Sequence, residues 1–203
     1  LETSDGGFVT LGYISECCWD TAQVVIVKYN RNGLQQWQKK YGGTSSDYAF
    51  NIYKTKTNGF IVAGTTFSNN GDVIGNHGNG TSDVWILRLD DNGDVIWKKC
   101  FGGTMNETGQ SVIQSPDYGF IIAGSSSSVN GDLTGNNGYI DGWLFKTDSS
   151  GNILWQKNYG GWGYDVFRSV IVSQDNSIIV AGNADSTPVI TNASNCGPGS
   201  LLL

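Results

Sequence analysis

The stretch WQKKYGG at residues 37–43 returns as WKKCFGG at 97–103 and as WQKNYGG at 155–161. Its last aromatics, Tyr41, Phe101 and Tyr159, are 60 and 58 positions apart. A second landmark keeps nearly the same step, with Phe8, Phe60, Phe120 and Ile178 at intervals of 52, 60 and 58. Self-similarity at a fixed period of this length marks a repeat architecture, whose units bury their apolar faces only by stacking on one another.

One period contains four strand-like runs, which in the best-preserved copy are 59–66, 83–90, 94–101 and 107–115. Asp90-Asp91-Asn92-Gly93 joins the second and third, and Asn30-Arg31-Asn32-Gly33 and Asp148-Ser149-Ser150-Gly151 are its counterparts. An Asx side chain that accepts from its own turn, followed by a glycine free to take positive φ, is hairpin chemistry. Thr57-Asn58-Gly59, Asp117-Tyr118-Gly119 and Asp175-Asn176-Ser177 make a second set of hairpins between the fourth run and the next first run. Four short antiparallel strands joined by tight turns, then repeated, describe a β-propeller blade.

The opening motif then acquires a purpose. Alternate residues of a strand share a face, so Trp97, Lys99 and Phe101 project together, as do Trp155, Lys157 and Tyr159. Large flat rings fill the space between neighbouring sheets, and the lysine between them lays its methylenes along the rings with its ammonium in solvent. The two glycines let the backbone turn without a Cβ clash. Asp47, Glu107 and Asp165, each four residues past the second glycine, are expected to accept backbone N–H groups where the fourth strand begins. Val25-Ile26-Val27-Lys28, Trp85-Ile86-Leu87-Arg88 and Trp143-Leu144-Phe145-Lys146 read as strands covered on both faces.

The fold class is therefore all-β, a partial β-propeller of about three and a half four-stranded antiparallel blades. Units run approximately over 5–56, 57–116, 117–174 and 175–203, the last incomplete. Closing a ring takes about 4–8 blades, so the remainder of a longer chain, or else a partner chain, is expected to complete it, the first by preference.

Composition agrees. Of 203 residues, 38% are hydrophobic and 15% charged, and 29 are glycine. That balance suits a turn-rich β globule. A net charge of −6 with no basic run argues against nucleic acid as a partner. No stretch approaches the roughly 20 apolar residues of a membrane span. The start lacks a basic and apolar leader, so any export signal lies upstream or was removed. Cys17, Cys18, Cys100 and Cys196 show neither zinc-ligand spacing nor a C-x-x-C pair, and their pairing stays open.

The recurring W-x-K-x-[YF]-G-G-x-x-x-[DE], with D-x-G-F-I-[IV]-A-G-[ST]-[ST]-S, resembles the secreted bacterial β-propeller repeats called SBBP-type. It is similar above all to extracellular repeat proteins of Bacteroidetes, over about residues 5–183. The resemblance implies a secreted or cell-surface protein and says little of its function. "LDDNGDVIW" and "TDSSGNILW" are also similar to pyrroloquinoline-quinone-type propeller repeats, in architecture alone.

Function is expected in the variable connections between first and second strands, 13–23, 65–83 and 125–141, since repeat proteins carry such insertions on one face. Asp72, Asn76, Asp83, Asp132, Asn136 and Asp141 are turn formers by preference. As an alternative they offer oxygens to a hard cation such as Ca²⁺, outside the EF-hand order. No other cofactor is indicated. Trp19, Trp162, Asn79 and Tyr139 are candidate ligand contacts, the tryptophans by stacking on sugar rings. His77, the lone histidine, is read as solvated, and no nucleophile–base grouping is present. Two hypotheses follow. One is a non-enzymatic exported scaffold that meets another protein or a glycan at the cell surface. The other is a carbohydrate-binding or glycoside-hydrolase propeller, the latter if Asp47, Glu107 and Asp165 converge.

Overall fold

The computed structural model describes residues 1–15, 21–185 and 201–202. Every regular element among them is a strand. The first sheet holds β1 (Phe8–Ile14), β2 (Gln23–Tyr29) and β3 (Gln35–Tyr41). The second holds β4 (Asp47–Lys54), β5 (Phe60–Thr66), β6 (Asp83–Leu89) and β7 (Val95–Phe101). The third repeats it with β8 (Glu107–Gln114), β9 (Phe120–Ser126), β10 (Asp141–Thr147) and β11 (Ile153–Tyr159). The fourth pairs β12 (Asp165–Val172) with β13 (Ile178–Ala184), and β14 (Leu201–Leu202) lies parallel to β13. Neighbours within the first three sheets are antiparallel and in chain order. This is the partial β-propeller that the periodicity predicts. The sheets run out of phase with the sequence units: the run 107–115 opens the third sheet rather than closing the second.

The hairpins form as their chemistry demands. Asp90 Oδ1 accepts from the N–H groups of Asn92 and Asp94 at 2.9 and 2.8 Å, and Gly93 takes φ 77°. Asn30 and Asp148 do the same, with Gly33 and Gly151 also at φ 77°. In the other hairpins the left-handed residue is Asn58, Tyr118 or Asn176.

Two β-bulges recur in phase. One displaces β4, β8 and β12 between Ala49 and Asn51, Gly109 and Ser111, and Phe167 and Ser169. At these points the bent backbone presses on the glycine of the partner strand. A Cβ on Gly64, Gly124 or Gly182 would lie 1.9, 1.8 or 1.9 Å from the carbonyl oxygen of Tyr48, Thr108 or Val166. Only a residue without a side chain fits.

Three apolar seams join consecutive sheets. The first brings Val24, Ile26 and Tyr41 against Phe60, Trp85 and Leu87. The second sets Ile61, Val84, Ile86 and Phe101 against Phe120, Trp143 and Phe145. The third sets Ile121, Leu144 and Tyr159 against Phe167, Val170 and Ile178. Strands β5, β6 and β9 are buried at every position, as strands covered on both faces must be.

The aromatic–Lys–aromatic motif works across these seams, and one expectation needs correction. Trp37 meets Phe60 edge-on at 6.5 Å, and its Nε1–H donates to Asp91 O at 3.2 Å in the next sheet's hairpin. Tyr41 donates to Gly93 O at 2.6 Å. Trp97 repeats this on Phe120 and Ser149 O. The lysine ammonium does not end in open solvent. Lys39 Nζ lies 2.6 Å from Asp94 Oδ1, and Lys99 Nζ donates to Gly151 O and Asn152 Oδ1 at 2.9 Å each. The whole motif therefore clasps the next sheet's turn.

Candidate functional site

The Asx hairpins lie at one end of the sheets. The Gly-Gly connections and the long β5–β6 and β9–β10 loops lie at the other, which makes that end the loop face. Each long loop is built into the fold. Val73 and Leu133 are buried plugs in the first and second seams. Asp72 N–H and Asp132 N–H donate to Gly42 O and Gly102 O at 2.9 Å, which ties the loop of one sheet to the glycine pair of the sheet before it. A Cβ on Gly43 or Gly103 would strike Asn70 Oδ1 or Asn130 O at 2.5 Å. Close approach of the next loop is thus what the second glycine serves.

The acid four residues later completes this joint. Asp47, Glu107 and Asp165 accept from the N–H groups of Gly43, Gly103 and Gly161 at 2.7, 2.8 and 2.9 Å, as predicted. Glu107 also accepts from Ser126 Oγ and Ser128 N–H at 2.9 and 3.1 Å. Asp47, Glu107 and Asp165 thus stand one to a seam and do not converge on one another.

The candidate cation ligands are distributed as follows. Asn76 and Asn136 staple their loops: Asn76 Nδ2 donates to Thr66 O and Ser68 O, and Asn136 Nδ2 to Ser126 O. Their Oδ1 atoms accept from Gly78 and Gly138 N–H. Asp72 pairs with Lys98 at 3.4 Å, and Asp132 accepts from Gly102 N–H at 3.1 Å. Asp83 and Asp141 are wholly buried at the starts of β6 and β10. Among the described residues no three His, Cys, Asp or Glu side chains are gathered as a metal-ligating group. His77 is not freely solvated: Nδ1 lies 2.7 Å from Asp83 Oδ2, and Nε2 faces Asp132 at 3.8 Å. Burial pushes the Asp83 carboxyl above its usual range, against the pull of the His77 hydrogen bond. Cys100 is a free thiol pushed up by burial. Cys17, Cys18, Trp19 and Cys196 lie outside the described residues.

Of the aromatic candidates, Trp162 and Tyr139 stand on adjoining stretches of backbone. Trp162 is 89% exposed and Tyr139 73% exposed, and a third ring, Tyr164, joins them at 52%. The rings of Tyr139 and Tyr164 stack at 5.8 Å with 16° between planes. The backbone beneath them is tightly joined: Ile140 N–H donates to Gly163 O at 3.3 Å and Asp165 N–H to Ile140 O at 2.8 Å. Gly138 lies so close to Gly161 that a Cβ there would sit 1.9 Å from its carbonyl oxygen. Asn79 is exposed in the preceding loop, at the neighbouring seam. Sequence reading passed over Tyr164, although it stands two residues after Trp162 in GGWGYD, where the earlier copies have GGTSSD and GGTMNE.

No protein-family model matches the chain, so none supports the secreted bacterial repeat in particular. The chain is similar to an uncharacterized WD repeat-containing protein of Acanthamoeba polyphaga mimivirus, 20% identical over 206 residues. The match takes in 83% of this chain and 15% of that relative's length. WD repeats build propeller blades of four strands. Sequence likeness and sheet order agree on a repeat propeller.

Proposed function

We propose that this protein is a non-enzymatic interaction scaffold whose loop face, centred on Trp162, Tyr139 and Tyr164, is the partner-binding surface. The observation that supports it is a stacked pair of exposed tyrosines with an exposed tryptophan beside them in the chain, all carried on a tightly hydrogen-bonded seam. Exposed tryptophan and tyrosine are the side chains that carry most binding energy at interfaces, because they bury much area while losing few rotamers. Exposed Ile74, Met105 and Val129 extend this face towards the second seam. The similarity to a WD repeat-containing protein points the same way. No helix among the described residues is long and apolar enough to cross a membrane.

The setting we infer is extracellular or cell-surface, on the strength of the resemblance to secreted bacterial propeller repeats. The partner there is another protein or a glycan. The stacked tyrosines and the neighbouring indole also suit the apolar faces of sugar rings, so a lectin-like role is the second reading. Affinity capture from cell-surface protein extracts, run beside a glycan array, separates the two. Trp162→Ala and Tyr139→Ala are expected to abolish whichever signal is seen while leaving the thermal unfolding midpoint unchanged. Binding that survives both substitutions would place the partner elsewhere. Fractionation of the native cells, with the protein found inside, would refute export.

A further inference from the structure

Two of the seams hold a pair of buried carboxyls, one member of which has an oxygen without a hydrogen-bond partner. At the second, Asp83 Oδ1 and Glu107 Oε2 border the same gap, 2.7 and 2.5 Å from where a Cβ on Gly102 would sit. At the third, Asp141 Oδ1 and Asp165 Oδ2 stand 2.5 and 2.6 Å from the equivalent point on Gly160. All four side chains belong to buried residues. Asp83 Oδ2 accepts from the backbone N–H of His77 at 3.0 Å and faces its ring at 2.7 Å, and Asp141 Oδ2 accepts from Asn137 N–H at 2.7 Å. Asp83 Oδ1 and Asp141 Oδ1 have no hydrogen-bond partner, although both residues are fully buried. Two ionised carboxylates facing each other out of water repel strongly, and a bare buried oxygen adds its own desolvation cost.

The first seam shows the same position in neutral form. Gln23 opens β2 as Asp83 opens β6 and Asp141 opens β10. Its Nε2 donates to Gly43 O at 3.2 Å, beside Asp47. A side-chain amide and a protonated carboxyl are alike in offering both a donor and an acceptor. The repeat thus places a neutral donor where two of its copies have aspartate.

We propose that Asp83 and Asp141 hold a proton at neutral pH and donate it through Oδ1–H to the carboxylate across the seam, Glu107 and Asp165 respectively. Each of these two seams is then closed by an acid–carboxylate pair, which alkali opens. This arrangement gives both orphan oxygens a partner and removes one charge from each buried pair. The groups facing Asp83 are His77 and Glu107, with Asp132 beyond the imidazole and the buried Cys100 thiol nearby. Asp165 is the charge that faces Asp141. Burial, chiefly, pushes both aspartates above the ordinary carboxyl range. A carboxyl raised in the folded state binds its proton more tightly there than in the unfolded chain. Its stabilisation is whole below the unfolded value and is lost as pH rises through the folded one.

The test is infrared spectroscopy and thermal unfolding of the protein between about pH 5 and pH 9. The expected spectrum at neutral pH has a protonated-carboxyl C=O band that is missing from Asp83→Asn/Asp141→Asn. The expected unfolding midpoint of the unaltered protein falls as pH rises, whereas the double variant is flat and no less stable at the alkaline end. His77→Asn, which copies Asn137 of the next seam, keeps the slope. Absence of the band from the unaltered protein overturns the proposal, even if the double variant fails to fold. So does a slope that persists in the double variant, or one that vanishes with His77→Asn. A midpoint raised by Ca²⁺ in the unaltered protein and not in the double variant would show that a cation, not a proton, holds the pair.

Discussion

At the scale of single residues, this fold depends on atoms that are missing and on carboxylates that are not in solvent. Gly124 has the Thr108 carbonyl where its Cβ would be. Gly124→Ala therefore forces β8 and β9 apart, and a loss of about 3 kcal/mol is expected from denaturant unfolding at unchanged slope. Glu107 collects three donors in a fully buried site. Glu107→Ala leaves them without an acceptor and should cost about 3 kcal/mol or more, against less for Glu107→Gln, which keeps one oxygen. Surface aspartates respond to pH in the opposite sense to the seam pairs. Burial, the largest single influence, raises the Asp117 carboxyl, but hydrogen bonds from Lys146, at 2.5 Å, and from Ser115, with the Lys146 charge, together outweigh it and hold the group at about 2. A lowered carboxyl stabilises above its unfolded value and loses that as pH falls through the folded one. Asp117→Asn should thus flatten the unfolding profile between about pH 4 and pH 2, by a small amount because the pair is half exposed.

At the scale of elements, the strands differ in how firmly they are held. β5, β6 and β9 are buried throughout, while β1 is mostly exposed and β13 is exposed over its second half. Hydrogen exchange measured by NMR should find the slowest amides in β5, β6 and β9, and the fastest strand amides in β1 and the end of β13. Each clasp adds to a seam what apolar burial alone does not. Trp97→Ala removes an edge-on contact and a hydrogen bond to the next hairpin, so about 2 kcal/mol is expected, less than the 3–5 kcal/mol or so for the fully buried Trp143→Ala. The hairpins were legible because Asx-x-x-Gly is local chemistry. The bulges were not, because a bulge is a mismatch between two strands and neither sequence alone records it. That is why Ile96 and Leu154, apolar residues of the third runs, are exposed at 56%: each stands at the extra position of a bulge.

At the scale of the molecule, the loop face and the seams have separate tasks. The rings of Trp162, Tyr139 and Tyr164 contribute little to the core, and replacing all three with alanine should move stability by less than about 0.5 kcal/mol while removing partner binding. The period near 60 residues, the all-β class and the hairpin types all follow from the order of side chains, since turn preference and strand alternation act over a few residues. The meeting of Tyr139 with Tyr164, the capture of His77 between two aspartates, and the pairing of Asp83 with Glu107 and Asp141 with Asp165 were decided only when sheets packed. Residues 24 or 25 positions apart become neighbours there, where the glycine pair links one sheet to the next. Burial, which turns an aspartate from a turn former into a proton donor, is a property of that packing and not of any stretch of the chain.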